Sequence, residues 1–190
     1  MTLVYDKWLN FSETFSFDKD SATVVGMLFF VIKTLILSMQ FLMTGHITMA
    51  GAAKRQAIEA IALALLFSKH ELPYLKLACD DKLYVNTAID KIIKHKEELY
   101  LNNEGLQIMK QAKNFYNKFS HPTFLALGDS INLDGFGCYL GSSFDESKLP
   151  FYEKEVYSRL GLSKILINII EGVTQQMYEW PFFVNRHHTE

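Results

Sequence analysis

Proline and cysteine are both scarce in this chain, with four prolines and two cysteines among 190 residues. Few prolines permit long helices, because an interior proline removes a backbone donor and clashes with the preceding turn. Cys79 and Cys138 stand far apart and form no CxxC pair. That spacing excludes a disulfide framework and a zinc site of the usual type. Two isolated cysteines fit a reducing compartment, so the expected location is cytoplasmic. The formal net charge is −2, which is not the basic excess of a dedicated nucleic-acid binder. The opening stretch MTLVYDKWLNFSETFSFDKD sets acids and aromatics before any apolar run, unlike a signal peptide. HExxH, Glu-x-x-His, the P-loop, GxGxxG and GxSxG are all missing. GFGCYLG has glycines but neither the lysine nor the following helix of a phosphate loop. The expectation is therefore no metal and no cofactor.

What the chain does have is apolar bulk. Fifteen phenylalanines, nine tyrosines and two tryptophans contribute to a hydrophobic content of 49%, enough for a well-buried core in one domain spanning residues 1–190. No repeat, low-complexity tract or linker divides it. The longest apolar run, Ala22 to Met43, has the length of a bilayer span. Lys33 interrupts it, and Gly26, Lys33 and Gln40 recur every seventh residue as a polar stripe, with Thr34 and Ser38 on the adjoining flank. A polar stripe beside a wide apolar face suits a core helix of a soluble bundle. A membrane span is the rival reading.

Asp18 to Ser21 offers N-cap residues for that helix, and TGHITMAG reads as a break after it. AAKRQAIEAIALALLFSKH predicts a second helix, polar at Arg55, Gln56 and Glu59 and apolar all round after Ala60. ELPYLKLACDD reads as a short helix or connector. A third helical segment is expected from about Asp80, with Val85, Ile89, Ile92 and Ile93 inward. A fourth, from about Glu104 to Ser120, carries the stripe Leu106, Met109, Ala112, Tyr116 and Phe119. Pro122 disfavours helical geometry at His121, so the helix stops near Ser120. The glycine-rich segment before Pro150 contains INLDGFGCYL, a hairpin or loop signal. The last long helix follows, with Val156, Leu160, Ser163, Ile167, Ile170 and Val173/Thr174 as its expected buried face. Gly161 and Gly172 within it would be tolerated at a cost or allow close helix approach. The fold expected is all-α, a bundle of about five main helices with a glycine-rich loop or small hairpin before the last.

Candidate site residues fall in two groups. His121 lies beyond a helix C-terminus, where the negative end of the dipole favours an imidazolium. It reads either as a general acid or base or as a helix cap. Lys110, Asn114, Asn117 and Lys118 share the polar side of the same helix, and Asn114, Asn117 and Lys118 with Lys113 form the expected binding group around it. Arg55 and Glu59 stand four residues apart and can pair. They read either as a structural ion pair or as the wall of a polar pocket near His121. His187 and His188 are adjacent in the tail without a third ligand at helical spacing. Charge is uneven: Lys82 to Lys118 holds seven lysines against Asp90, Glu97, Glu98 and Glu104. This modest basic face is a candidate surface for an anion or RNA.

The run from RQAIEAIALALL through the lysine-rich helices to NFYNKFSHPT, together with the final helix, resembles the HEPN-like helical proteins of bacteria. The resemblance implies an all-helical, often dimeric bundle. In active members it also implies metal-independent RNA cleavage by an arginine and a following histidine that assist the ribose 2′-hydroxyl. Here His121 matches the histidine, while Lys113 and Asn114 stand nearest the arginine's place. Lysine lacks arginine's planar fork. The expected function is thus non-catalytic binding of a protein partner or nucleic acid, in a stress or phage-defence setting and as a homo-oligomer. A ribonuclease using His121, with Arg55 and Glu59 in support, is one alternative. A membrane-associated helical protein is the other.

Overall fold

In a computed structural model, residues 1–15, 18–131, 137–138 and 144–180 are described. Eight α-helices follow one another: α1 (Thr2–Phe15), α2 (Lys19–Met43), α3 (Ile47–Ser68), α4 (Tyr74–Cys79), α5 (Ala88–Lys94), α6 (Asn103–Asn117), α7 (Phe124–Leu127) and α8 (Leu149–Tyr178). Short 3-10 turns precede α5 and α8. Among the described residues there is no strand, and the all-α expectation holds. An isolated antiparallel bridge joins Ile131 to Cys138 across the glycine-rich segment, most of which lies outside the described residues. His187 and His188 lie outside them as well.

Five helices are long, as expected, but they are not the five expected. The N-terminal stretch forms α1, which buries Val4, Phe11 and Phe15 at helical spacing. The segment after Asp80 shrinks to a 3-10 turn and the seven-residue α5. Ile89 and Ile92 are buried there, but Val85 is exposed and Ile93 only half-buried.

Caps account for the helix boundaries. The Asp18 carboxylate accepts from the amides of Asp20 and Ser21 at 2.9 and 3.0 Å, starting α2 where the sequence placed it. Gly45 ends the α2–α3 turn at φ 81°, a left-handed geometry that favours glycine. α3 then begins before Gly51, not after it. Gly51 is an interior helix position, and a Cβ there would run into the Phe119 ring. Its role is close approach, not helix termination. No side chain of α3's own caps its N-terminus. Asp129 does so from afar, accepting from the Ile47 and Thr48 amides at 3.1 Å each.

α3 is the central helix. Its later half is buried on every side, as the unbroken run after Ala60 requires. Its C-terminal end is tied to α8: the Trp180 indole donates to the Ser68 carbonyl at 2.7 Å, and Gln176 accepts from the Ser68 hydroxyl. α2 packs along α3 and buries Val24, Leu28, Val31, Ile32 and Leu35. Gly26, Lys33 and Gln40 face outward as one stripe, while Thr34 and Ser38 turn inward. By length and composition α2 is also the one helix among the described residues long and apolar enough to cross a bilayer.

α8 buries Ile170 and Val173 as expected but corrects the expected register before them. Its buried face is Tyr152, Glu155, Arg159, Leu166, Ile170, Val173, Gln176 and Met177. Leu160 is exposed, and Val156, Ser163 and Ile167 are only half-buried. The apolar pattern pointed one position away because the first half of α8 buries charged residues in place of aliphatic ones. Leu106 and Tyr116 of α6 and Phe119 in the turn after it are buried as expected, whereas Met109 and Ala112 are half-buried.

Candidate functional site

Two of the polar residues that α8 buries, Glu155 and Arg159, belong to a network that reaches Lys54 of α3 through Tyr116. The Lys54 side chain is 2% exposed, a rare state for a lysine. The Nζ donates to the Tyr116 hydroxyl of α6 at 2.6 Å and to the Ser158 hydroxyl of α8 at 2.5 Å. It also lies 4.5 Å from the centre of the Tyr116 ring. The Tyr116 hydroxyl in turn donates to Glu155, with the two carboxylate oxygens 3.0 and 2.9 Å away. Arg159 closes the network. Its Nη1 pairs with Glu155 at 2.7 Å, its Nε donates to Ser38 of α2 at 2.9 Å, and its Nη2 donates to the Ala50 carbonyl at 3.1 Å. Four helices therefore meet through one hydrogen-bonded chain.

The charges in this network explain the chemistry of Lys54. Glu155 is its one carboxylate, and Arg159 pairs with it directly. Protonated Lys54 would leave a second buried cation without a carboxylate of its own. Neutral Lys54 leaves the cluster balanced. Burial is the largest influence and pushes the lysine down to about 7; the Glu155 charge opposes this and the Arg159 charge adds to it. Tyr116 is pushed well above the usual phenol range, first by burial and then by the Glu155 charge. The lysine is thus poised near neutral pH, while the phenol stays protonated.

This cluster stands at one end of an apolar groove of about 400 Å³ between α3, α6 and α8. Gly105, Leu106, Met109 and Ala112 supply the α6 wall, and Gly161, Leu162, Ile165 and Ile169 the α8 wall. Lys54 and Ser158 both line it, and Ser158 is exposed although the lysine behind it is not. Gly105 and Gly161 do not serve close helix approach. A Cβ at either would meet nothing within 4 Å, so both glycines contribute open space to the groove. Gly172 has the same freedom.

Arg55 and Glu59 face another side of α3. Arg55 Nε and Nη2 both donate to one Glu59 oxygen, at 3.2 and 3.1 Å. They form the i,i+4 ion pair the spacing allows. Glu59 lines a second apolar groove, of about 410 Å³, with Gly26, Met27 and Phe30 of α2 and Val85. No hydrogen bond or ion pair among the described residues joins Arg55 or Glu59 to His121.

His121 is exposed in the turn after α6, which ends at Asn117. The Thr123 hydroxyl, not the His121 ring, reaches the Lys118 carbonyl, at 2.7 Å. Asn114 and Lys118 are exposed, Asn117 is half-buried, and Lys113 extends to the Asn86 carbonyl at 3.4 Å. Phe115 is exposed. The lysine-rich face is partly self-neutralised: Lys110 pairs with Asp90 at 2.8 Å and Lys96 with Glu97 at 3.7 Å. Among the described residues no group of three or more His, Cys, Asp or Glu side chains gathers at metal-binding distance. Cys79 and Cys138 are both free and exposed.

Sequence reasoning missed Lys54, Ser158, Glu155 and Arg159. One signal was present: Glu155 and Arg159 are four apart in YEKEVYSR, in the dipole-favoured order. Nothing local marks Lys54, which sits beside the more conspicuous Arg55. Comparison with family models, with curated proteins and with solved structures found no match for this chain.

Proposed function

We propose that this protein binds an amphipathic small molecule, a medium-chain acyl compound, in the groove between α3, α6 and α8. The acyl chain lies along the α6 and α8 walls. Its carbonyl or carboxylate end meets Lys54 and Ser158. The observation that carries this reading is the placement of a buried lysine and an accessible hydroxyl at the end of an otherwise apolar groove. Ligand sites commonly have this form: apolar walls, a few convergent polar groups, and a volume of roughly 300–1,000 Å³. Gly105 to Ala112 gives α6 a wall of about 10 Å, at a rise of about 1.5 Å per residue, which suits a chain of medium length. The groove at Glu59 is similar in size, but its charged group is already satisfied by Arg55.

The test is binding of a fluorescent fatty acid to the purified protein, with Gly161→Leu as the blocking variant. Leucine at 161 projects into open groove and has the higher helix propensity. Wild type is expected to bind saturably, and the variant to bind at least about tenfold more weakly while remaining folded. Equal binding by both proteins would remove the reading.

A second reading rests on the HEPN-like resemblance and is favoured by the accessibility of His121, Asn114 and Lys118. It makes the chain a cytoplasmic, homo-oligomeric binding module for RNA or a protein partner in stress or phage defence. The ribonuclease version of it predicts RNA cleavage in the presence of chelator that His121→Ala abolishes. Intact RNA with the wild-type protein would end the ribonuclease version.

A further inference from the structure

We infer that Ser158 is a nucleophile toward the carbonyl carbon of an apolar ester held in the α3–α6–α8 groove, with the buried Lys54 amine as its general base. The inference rests on the acyl-chain reading above and adds a reaction to it. Three observations support it. Ser158 is exposed on the groove wall, so a ligand carbonyl can reach its hydroxyl. Lys54 stands directly behind it at hydrogen-bonding distance, shielded from water. The remaining members hold Lys54 in place and set its protonation: Tyr116 of α6 touches its Nζ, and Glu155 and Arg159 of α8 form a balanced pair behind that phenol. Arg159 in turn is anchored to Ser38 of α2. A lysine held near 7 is neutral in a large fraction of molecules at neutral pH, and only the neutral amine accepts a proton.

The step balances without a cofactor. The Ser158 oxygen forms a bond to the acyl carbon as its proton passes to Lys54. The ammonium so formed lies beside the developing oxyanion, within hydrogen-bonding distance of the Ser158 oxygen. The bond to the alcohol oxygen then breaks, and Lys54 returns the proton to that leaving group. Water attacks the acyl-serine by the same route in reverse and releases the carboxylic acid. Ser158 lies inside α8, so its backbone N–H is committed to the helix and offers no oxyanion donor. Acylation and hydrolysis of the acyl-serine are therefore both slow for an esterase, and with a leaving group as good as p-nitrophenolate acylation outpaces hydrolysis, so the covalent adduct accumulates.

The experiment incubates the full chain with p-nitrophenyl octanoate and follows intact mass, with peptide mapping of the adduct. Wild type is expected to gain one octanoyl group, mapped to Ser158, at a rate that rises with pH through about 7 and then levels. Ser158→Ala, at an exposed position, removes the adduct without unfolding the protein. Lys54→Arg, which stays charged, slows acylation by about 10²-fold or more. Folding of both variants is checked by circular dichroism. If Lys54→Arg does not fold, the wild-type pH profile and Ser158→Ala carry the decision. A folded wild type without adduct, or an adduct that persists in Ser158→Ala, overturns the inference. If the fatty-acid probe binds but no adduct forms, this inference alone fails. If the probe does not bind either, the acyl-chain reading fails with it.

Discussion

Lys54 and Arg55 are neighbours on one helix, yet they lie in opposite electrostatic situations. Arg55 reaches Glu59 one turn along α3, and their side chains are 21% and 9% exposed. That pair closes on itself and leaves its groove without a free charge. Lys54 finds only hydroxyl partners, because the nearest carboxylate is taken by Arg159. A step of about 100° around a helix thus separates a self-contained ion pair from an amine kept near neutrality. Only the second arrangement holds a reactive group in reserve, and it does so at a cost in stability.

The sharpest way to break this contrast is to remove the charge that balances Arg159. Glu155→Gln leaves a buried guanidinium unpaired and should destabilise the protein by about 3–5 kcal/mol in urea unfolding. A loss below about 1 kcal/mol would mean that the Glu155–Arg159 pair is not desolvated.

The next effect is in pH. Folded Lys54 titrates at about 7, whereas an unfolded lysine titrates at about 10.4. Between these values the unfolded chain holds a proton that the folded chain has released. Stability should therefore rise with pH across that window, by up to about 1.4 kcal/mol per pH unit. Lys54→Met should lose this slope and be the more stable protein at pH 7, since it buries no amine. Tyr116 acts in the opposite sense only near and above about pH 10, the ordinary phenol value. Urea titrations of both proteins at neutral and mildly alkaline pH measure the difference, and parallel curves would show that Lys54 is not desolvated.

A smaller change sharpens the groove itself. Gly161→Leu should stabilise α8 by up to about 1 kcal/mol, the usual gain on replacing an interior helix glycine. Thermal melting reads this gain, and a destabilised variant would mean that position 161 is packed rather than open. Least of all should happen at Arg55. Arg55→Ala removes a partly solvated pair and should cost no more than about 1 kcal/mol by chemical unfolding. A cost near that of Glu155→Gln would erase the distinction between the two sides of α3.

Much of the scaffold was legible because it rests on local rules. The Asp18 cap and the all-apolar second half of α3 follow from residue chemistry within one or two turns, whereas α6 ends at Asn117, three residues short of the stop expected near Ser120. The register of α8's first half was not legible, since Glu155 and Arg159 read as a solvent face until each is seen to satisfy the other. Gly51 and Gly161 are indistinguishable as letters, yet one meets the Phe119 ring and the other an open groove. The sequence alone marked Arg55, Glu59 and His121, whose types and spacing stand out along the chain. It was silent on Lys54, whose surroundings come from residues 62, 104 and 101 positions away, namely Tyr116, Ser158 and Glu155.

The sequence by itself determined an all-helical chain with an apolar central helix and few breaks, because periodicity, capping and proline placement act over short distances. The tertiary structure decided which charges are buried, which glycines leave space, and where an amine meets an accessible hydroxyl. Those outcomes depend on four helices arriving at one place, and desolvation there is a property of the packed assembly rather than of any residue in it.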